Sequence, residues 1–397
     1  MSLTVENQDV GNKDEQQVLL EIAEFYLRES VVPVASEIDE HPEALKEAFQ
    51  GMGNRSLLAL QVPTVWGGTG VSTQTFYHFQ QLIPRYSGAL AFLQTQHQSA
   101  GRLLSNSKNQ SLKERYLPYL SQGQALVGIG FSHLRRQGEP MVKAIPVAGG
   151  YQIAGKVPWI TGFGFFQDFI VGATLPDGRA VYGMLPFTAT VQPTGGTIAL
   201  SKPMELGAMS STNTVTAELR DWFLPAESVV VIQPAAAIHE KDQKNVLYHG
   251  FHCLGNTRAS LDIIQAVYQT KQLPFIKQAF DAFTEELHLC QSRMMAAVGN
   301  QISVDENKEI SAFSLKKPGC STNLPTTNGQ TWEEQLQLRT WAINLAQRCA
   351  TAAVTVSSGA ANYRHHAAQR VYREALVFTV FGQTTAVMAA TLARLVN

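Results

Sequence analysis

With 397 residues, 45% of them apolar and 16% charged, the chain is long enough for two or three domains around sizeable cores. Its 31 Lys and Arg balance 32 Asp and Glu, and no basic run is longer than two, so no long-range field favours nucleic acid or an anionic membrane. Cys253, Cys290, Cys320 and Cys349 stand far apart without Cys-x-x-Cys spacing, which argues against a zinc centre and a disulfide framework.

The first residues, MSLTVENQDVGNKDEQQ, lack the basic flank and apolar run of a signal peptide, so a cytoplasmic protein is expected. From Glu15 to about Gly123 apolar residues recur at spacings of three and four, which predicts helices, with Pro33 bending the first of them. Gln61–Ser72, with one Pro and three Gly, predicts a loop. After Gly123 the texture changes to short β-branched runs bounded by Gly and Pro, lasting to about Val231. Helical spacing then returns and holds to the C-terminus. The polar stretch 301–330, with Pro318, Gly319, Pro325 and Gly329, predicts an exposed excursion. Ala375–Val396 approaches membrane-spanning length, but Gly382, Gln383 and Arg394 interrupt it, so a buried helix is expected instead.

The most informative segment is Gly149–Ala173, where Trp159-Ile160-Thr161 falls in a predicted strand. Period-two alternation would set Trp159 and Thr161 on one face, one ring to stack and one hydroxyl to donate, which suits the edge of a flat heterocycle. Lys156 and Pro158 suggest that this strand runs near a sheet edge. A lone Trp-x-Thr also fits an ordinary sheet core pair.

In this order and spacing the segments resemble the acyl-CoA dehydrogenase superfamily over nearly the whole chain. The matching stretches are VPTVWGGTG, ERYLPYLSQGQALVGIGFS, the Trp-Ile-Thr triplet, MELGAMSSTNTVTAELRDWFLPAESVV, Ser358-Gly359 in place of Gly-Gly, and Arg373-Glu374 in place of Arg-Asp. The resemblance implies an α+β multidomain fold: an N-terminal helical domain (1–123), a small central β-barrel or sandwich (124–234) and a C-terminal four-helix bundle (235–397). It implies FAD at a subunit interface of a homodimer or homotetramer, lined by Ile129, Phe131 and Ser132 and by Trp159, Ile160 and Thr161. Lys271 stands where the family has an arginine for the pyrophosphate, with Gly359, Gln383 and Thr384 also near the dinucleotide.

Two departures separate cofactor from reaction. The family's tail glutamate, which takes the substrate's α proton, falls here on Phe381 or Gly382, and neither accepts a proton. The alternative position at the start of the first C-terminal helix falls on Asn245, with Asp242 one turn earlier. Asp242 and His249 are therefore the candidate proton acceptors, with Tyr248 and His252 beside His249. The family's Gly-Ser-Asp turn is replaced by FSHLRRQGEP, where Arg135 and Arg136 could hold an anion. Three functions follow. One is an FAD-dependent oxidoreductase on an acyl-CoA-like or other small organic substrate, served by an electron-transfer flavoprotein. Another is a monooxygenase of the same fold using O2 and reduced flavin, FAD or FMN, from a flavin reductase. Such chemistry needs a dry pocket, which Phe131, Phe163, Phe165, Phe166, Phe378 and Phe381 could supply. The third is a flavin-free scaffold or binding protein. No metal is expected.

Overall fold

The computed structural model describes residues 3–314 and 332–396. Six helices come first: α1 (Leu3–Tyr26), α2 (Ala35–Glu40), α3 (Pro42–Gly53), α4 (Thr73–Tyr86), α5 (Gly88–Ser105) and α6 (Gln110–Leu120). The predicted bend at Pro33 is a π turn over Leu27–Val31 running into a 3-10 turn over Val32–Val34. Polar side chains close the helix starts: Ser72, Ser87 and Asn109 accept from the amides of Thr75, Leu90 and Leu112 at 3.1, 3.2 and 3.2 Å.

The central sheet has nine strands: β1 (Val127–Gly130), β2 (Val142–Val147), β3 (Gly150–Ile160), β4 (Asp168–Thr174), β5 (Ala180–Pro186), β6 (Thr190–Val191), β7 (Thr197–Leu200), β8 (Val215–Pro225) and β9 (Val229–Gln233). Their order is β6-β7-β8-β3-β2-β4-β5-β9, with β1 parallel to β4, and β5 also touches β8, so the sheet curls on itself. The expected edge position of the Trp-Ile-Thr strand is corrected: β3 lies between β2 and β8. Pro158 is tolerated there because β2 pairs only as far as Gly155 and the register with β8 slips between Val157 and Ile160. The same slip breaks the alternation, so Trp159 is 46% exposed while both Ile160 and Thr161 are buried.

The C-terminal helices are α7 (Ala237–Lys244), α8 (Gly250–Lys271), α9 (Pro274–Ser314), α10 (Trp332–Ser357), α11 (Ala367–Val380) and α12 (Thr385–Val396). They form the expected C-terminal helical region: α8 packs on α9, α10 and α11, α12 joins through α10, and α8 also lies along α4 of the N-terminal domain. Phe251, Leu254, Leu261 and Ile264 of α8, all fully buried, therefore make one hydrophobic core continuous with Phe79 and Ile83 of α4. The expected excursion over 301–330 is also corrected, because 301–314 continue α9; Cys320 and 315–330 lie outside the described residues. Ala375–Val396 is broken between α11 and α12, and no helix among the described residues is long and apolar enough to cross a membrane.

Candidate functional site

Strand β1 leads out of α6 and is pinned to α5 by His97, whose Nδ1 accepts from the Val127 amide at 3.1 Å while Nε2 donates to the Leu120 carbonyl at 3.2 Å. That arrangement needs a neutral ring, and burial pushes its pKa down to about 4. Ile129 is half-buried, Phe131 packs edge-on to Tyr182 at 5.3 Å, and Ser132 is exposed. Trp159 presents its indole to solvent, and no aromatic ring packs on it among the described residues. Thr161 pairs its hydroxyl with Thr214 at 2.9 Å, which still leaves the Thr161 oxygen acceptor capacity. Phe165 and Phe166 are sealed into the sheet's core, so they line no open pocket.

At the other end of the chain the turn between α11 and α12 meets the loop before α8. His249 lies 4.3 Å from the Phe381 ring centroid and 4.8 Å from that of Tyr248, with His252, Phe378 and Phe92 completing an aromatic cluster around Phe381. Gly382 adopts φ +59°, and a Cβ there would stand 2.1 Å from His249 Cδ2. The imidazole thus fills the space into which any side chain at 382 would have to grow. The turn is held from behind by Arg339, 3% exposed, which donates to the carbonyls of Phe381, Gly382 and Val246 at 2.7, 3.1 and 3.2 Å. His249 is held well below the usual histidine range, by burial first and then by Arg339, so at neutral pH it is uncharged. Its Nδ1 is buried without a partner, although part of the ring keeps solvent contact. His252 is fully buried and pushed down to about 3, its Nε2 meeting the Thr95 hydroxyl at 3.3 Å.

Gly382→Ala should therefore destabilise the fold by more than the roughly 1–2 kcal/mol of a left-handed non-glycine residue, because the His249 ring must also move. In a denaturation double-mutant cycle His249→Ala should return at least about 1 kcal/mol of that loss. Simple additivity would contradict this packing.

The expectation for Asp242 is revised. Arg135 grips its carboxylate in a fork, Nε to Oδ2 at 2.7 Å and Nη2 to Oδ1 at 2.9 Å, so both oxygens are engaged in an ion pair. Asn245, half-buried at the end of α7, donates to the Lys241 carbonyl at 2.7 Å and offers no proton acceptor. Lys271 spends its ammonium closing the end of α10, donating to the Val356 carbonyl at 2.8 Å and reaching Ser358 Oγ at 3.4 Å. Gly359 is exposed, with nothing within 4 Å of a Cβ built on it. Thr384 caps α12 by accepting from the Val387 amide at 3.3 Å, and Gln383 lies half-buried in the turn. Arg339 was missed by sequence reasoning. An arginine three residues after Leu336 and four before Ile343, on the apolar face of α10, is the signal that could have found it. A separate recess of about 400 Å³ between α1, α4, α8 and α9, lined by Arg85, Arg258 and His288 among others, lies away from both clusters.

The family model "Acyl-CoA dehydrogenase, N-terminal domain" matches residues 13–124. Isovaleryl-CoA dehydrogenase of Pongo abelii is 26% identical over 304 residues, 74% of this chain and 70% of the relative. The probable acyl-CoA dehydrogenase YngJ of Bacillus subtilis (strain 168) is 22% identical over 394 residues, 96% of this chain and 97% of the relative. The structure of an acyl-CoA dehydrogenase complexed with FAD from Bacillus anthracis aligns with a TM-score of 0.75 at 17% identity, covering 96% of this chain and 67% of that one. These matches support membership of the acyl-CoA dehydrogenase superfamily, at the general level of a flavin-dependent oxidoreductase.

Proposed function

We propose that the protein binds FAD and acts as an oxidoreductase on an acyl-CoA-like or other small organic substrate brought to the flavin. The observation that carries this is the uncovered Trp159 indole at the end of β3, in a fold that follows an FAD-complexed relative over nearly its whole length. The residues present fit such a group in part. Trp159 would stack on it, Ile129 and Ser132 offer an apolar and a hydroxyl contact, and Gln383 has a side-chain amide with no hydrogen-bond partner among the described residues. Lys271 would add only what its remaining donor allows. When bound, FAD supplies a two-electron acceptor or donor. The protein's own share is to exclude water with Phe92, Phe381 and Tyr248 and to present neutral His249 as a hydrogen-bonding group.

A second reading, oxygenation with O2 and reduced flavin from a reductase, is favoured by one specific observation. The tail position falls on Phe381 or Gly382, and the one carboxylate put forward in its place, Asp242, is engaged through both oxygens by Arg135. Proton abstraction by a side-chain carboxylate thereby loses its agent. Exposed Tyr372, Leu376 and Val380 on α11, at helical spacing, together with Met388, Leu392 and Leu395 on α12, support burial of this face against a second copy.

The purified protein should be yellow, or become so with added FAD, and Trp159→Ala should weaken flavin retention by about tenfold, in line with the roughly 1–3 kcal/mol of an aromatic stack. Bleaching by an acyl-CoA without oxygen would support dehydrogenation; oxygen uptake that needs reduced flavin would support the second reading. His249→Ala should lose turnover while keeping the flavin. A colourless protein that takes up neither FAD nor FMN would return the flavin-free scaffold to first place.

A further inference from the structure

Trp159 sits in the slip of β3, where Pro158 and Trp159 stand opposite the single residue Thr216, between the pairs Val157–Ala217 and Ile160–Val215. A bulge of this kind re-aims a side chain, and the direction it takes is set by whatever anchors the strand beyond it. Here the anchor is segment 212–214, just before β8. The amides of Gly162 and Phe163 donate to the carbonyls of Thr212 and Asn213 at 2.9 and 3.2 Å, Asn213 Nδ2 donates to the Phe163 carbonyl at 3.2 Å, and Thr214 meets the Thr161 hydroxyl at 2.9 Å. This segment leaves a single 3-10 turn, Ser210–Thr212, with a left-handed non-glycine residue at each end, Met209 at φ +56° and Asn213 at φ +48°. Two such strained residues persist only where their surroundings over-determine them. The surroundings belong to helices of both helical domains. Asp39 of α2, 1% exposed, accepts from the Met209 amide at 2.6 Å, and the Ser210 and Ser211 hydroxyls donate to the carbonyls of Asp39 and Ile38. Arg373 of α11 donates to Asp39 Oδ2 at 2.7 Å and to the Gly207 carbonyl at 3.0 Å, which fixes the carboxylate from behind. An unbroken series of hydrogen bonds thus runs from two helices, through one buried turn, to the end of the strand that carries the open indole.

We propose that Asp39 and Arg373 are positioning residues for the flavin: they clamp the turn at Met209, and the turn sets the angle at which the Trp159 indole meets the bound ring. Both act through the backbone of residues 209–214. This deepens, and rests on, the reading of Trp159 as a flavin contact. A pair that merely joined the domains would change stability and leave the indole and the flavin as they are.

The test is a fluorescence titration of the full-length protein with FAD, together with acrylamide quenching of Trp159, taken as the difference from the matching Trp159→Phe protein. Asp39→Ala should weaken FAD binding by about tenfold, as much as losing the stack itself, and should change the slope of Trp159 quenching. Asp39→Asn keeps an acceptor for the Met209 amide and loses only the ion pair with Arg373, so it should lose less while moving the quenching in the same direction. Arg373→Lys, which keeps a donor for Asp39, should lie near the parent. In a Trp159→Ala background Asp39→Ala should cost no more than about a further twofold, because the indole it positions is gone. Thermal midpoints identify any variant that fails to fold, and if Asp39→Ala is one, Asp39→Asn decides, alone and in the Trp159→Ala background. Full additivity with Trp159→Ala, or parent-like affinity and quenching in a folded Asp39 variant, overturns the proposal. The two readings fail separately. A parent that takes up no FAD while Trp159 quenching still shifts in Asp39→Asn loses the flavin and keeps the positioning of the indole; a parent that binds FAD while neither affinity nor quenching moves keeps the flavin and loses the positioning.

Discussion

Glu374→Ala is expected to lower stability by about 3–5 kcal/mol, the usual cost of orphaning a buried ionic partner. Glu374 is 1% exposed and joins three parts of the molecule. From α11 it accepts from Arg370 at 2.7 Å and from the amide of Gly88, at the start of α5, at 3.1 Å. One helical position away Arg373 donates to Asp39 of α2 at 2.7 Å and to the Gly207 carbonyl of the sheet region at 3.0 Å, while Asp39 also accepts from the Met209 amide at 2.6 Å. Gly88 allows this close approach, since a Cβ there would lie 2.6 Å from the Glu374 carboxyl carbon and 2.7 Å from Met209 Cε. Removing the carboxylate leaves the Arg370 guanidinium, whose Nε already lacks a partner, with 7% of its side chain exposed and no counter-charge. Glu374→Gln, which keeps the bond from Gly88, should lose less. Urea denaturation followed by circular dichroism checks both, and an alanine variant within about 1 kcal/mol of the parent would show that the network joins the domains in geometry only.

Acid is expected to unfold the protein well before its surface carboxylates account for it. His97, His133 and His252 are buried and pushed down from 6.5 to about 4, 4 and 3, and His249 moves the same way. A histidine whose folded pKa lies below its unfolded one leaves the unfolded chain binding more protons between the two values. Stability is therefore full above about pH 6.5 and falls as the pH drops toward 4. At about 1.4 kcal/mol per pH unit, a shift of this size is worth roughly 3 kcal/mol for a single ring, so two or three of them consume much of a typical domain's ~5–15 kcal/mol. Glu374 and Asp168, both raised by burial, act with the opposite sign, since they take up their protons more readily when folded, but they are two groups against four histidines. Thermal melts between pH 7 and 4 should show a steep fall in midpoint, and His252→Gln, which cannot titrate, should move the acid transition to lower pH. A profile unaffected by that change would remove His252 from the account.

The helical stretches, the switch to strands after Gly123 and the return of helices were all legible, because each rests on local periodicity and on Gly and Pro, whose backbone limits act within a few residues. The position of β3 was not. Lys156 and Pro158 are edge signals only if the ladder is regular, and the slip between Val157 and Ile160 removes the need for the missing amide on a central strand. Residues 301–314 were misassigned from their polarity, although α9 continues through them. At the site, the absence of a carboxylate at 381 and 382 could be read directly. That Asp242 is locked by Arg135, 107 positions earlier, and that Arg339 holds the turn at Phe381, could not.

The order of residues by itself determined the sequence of elements, the strand that carries Trp159 and Ile160 and the absence of a carboxylate at 381 and 382, since these depend on spacing and side-chain type alone. Only the tertiary structure decided which charges are neutralised, which histidines are held uncharged and which indole stays open. Burial and pairing are set by residues distant in the chain, and the cost of an unpaired charge depends on what surrounds it, not on its neighbours in sequence.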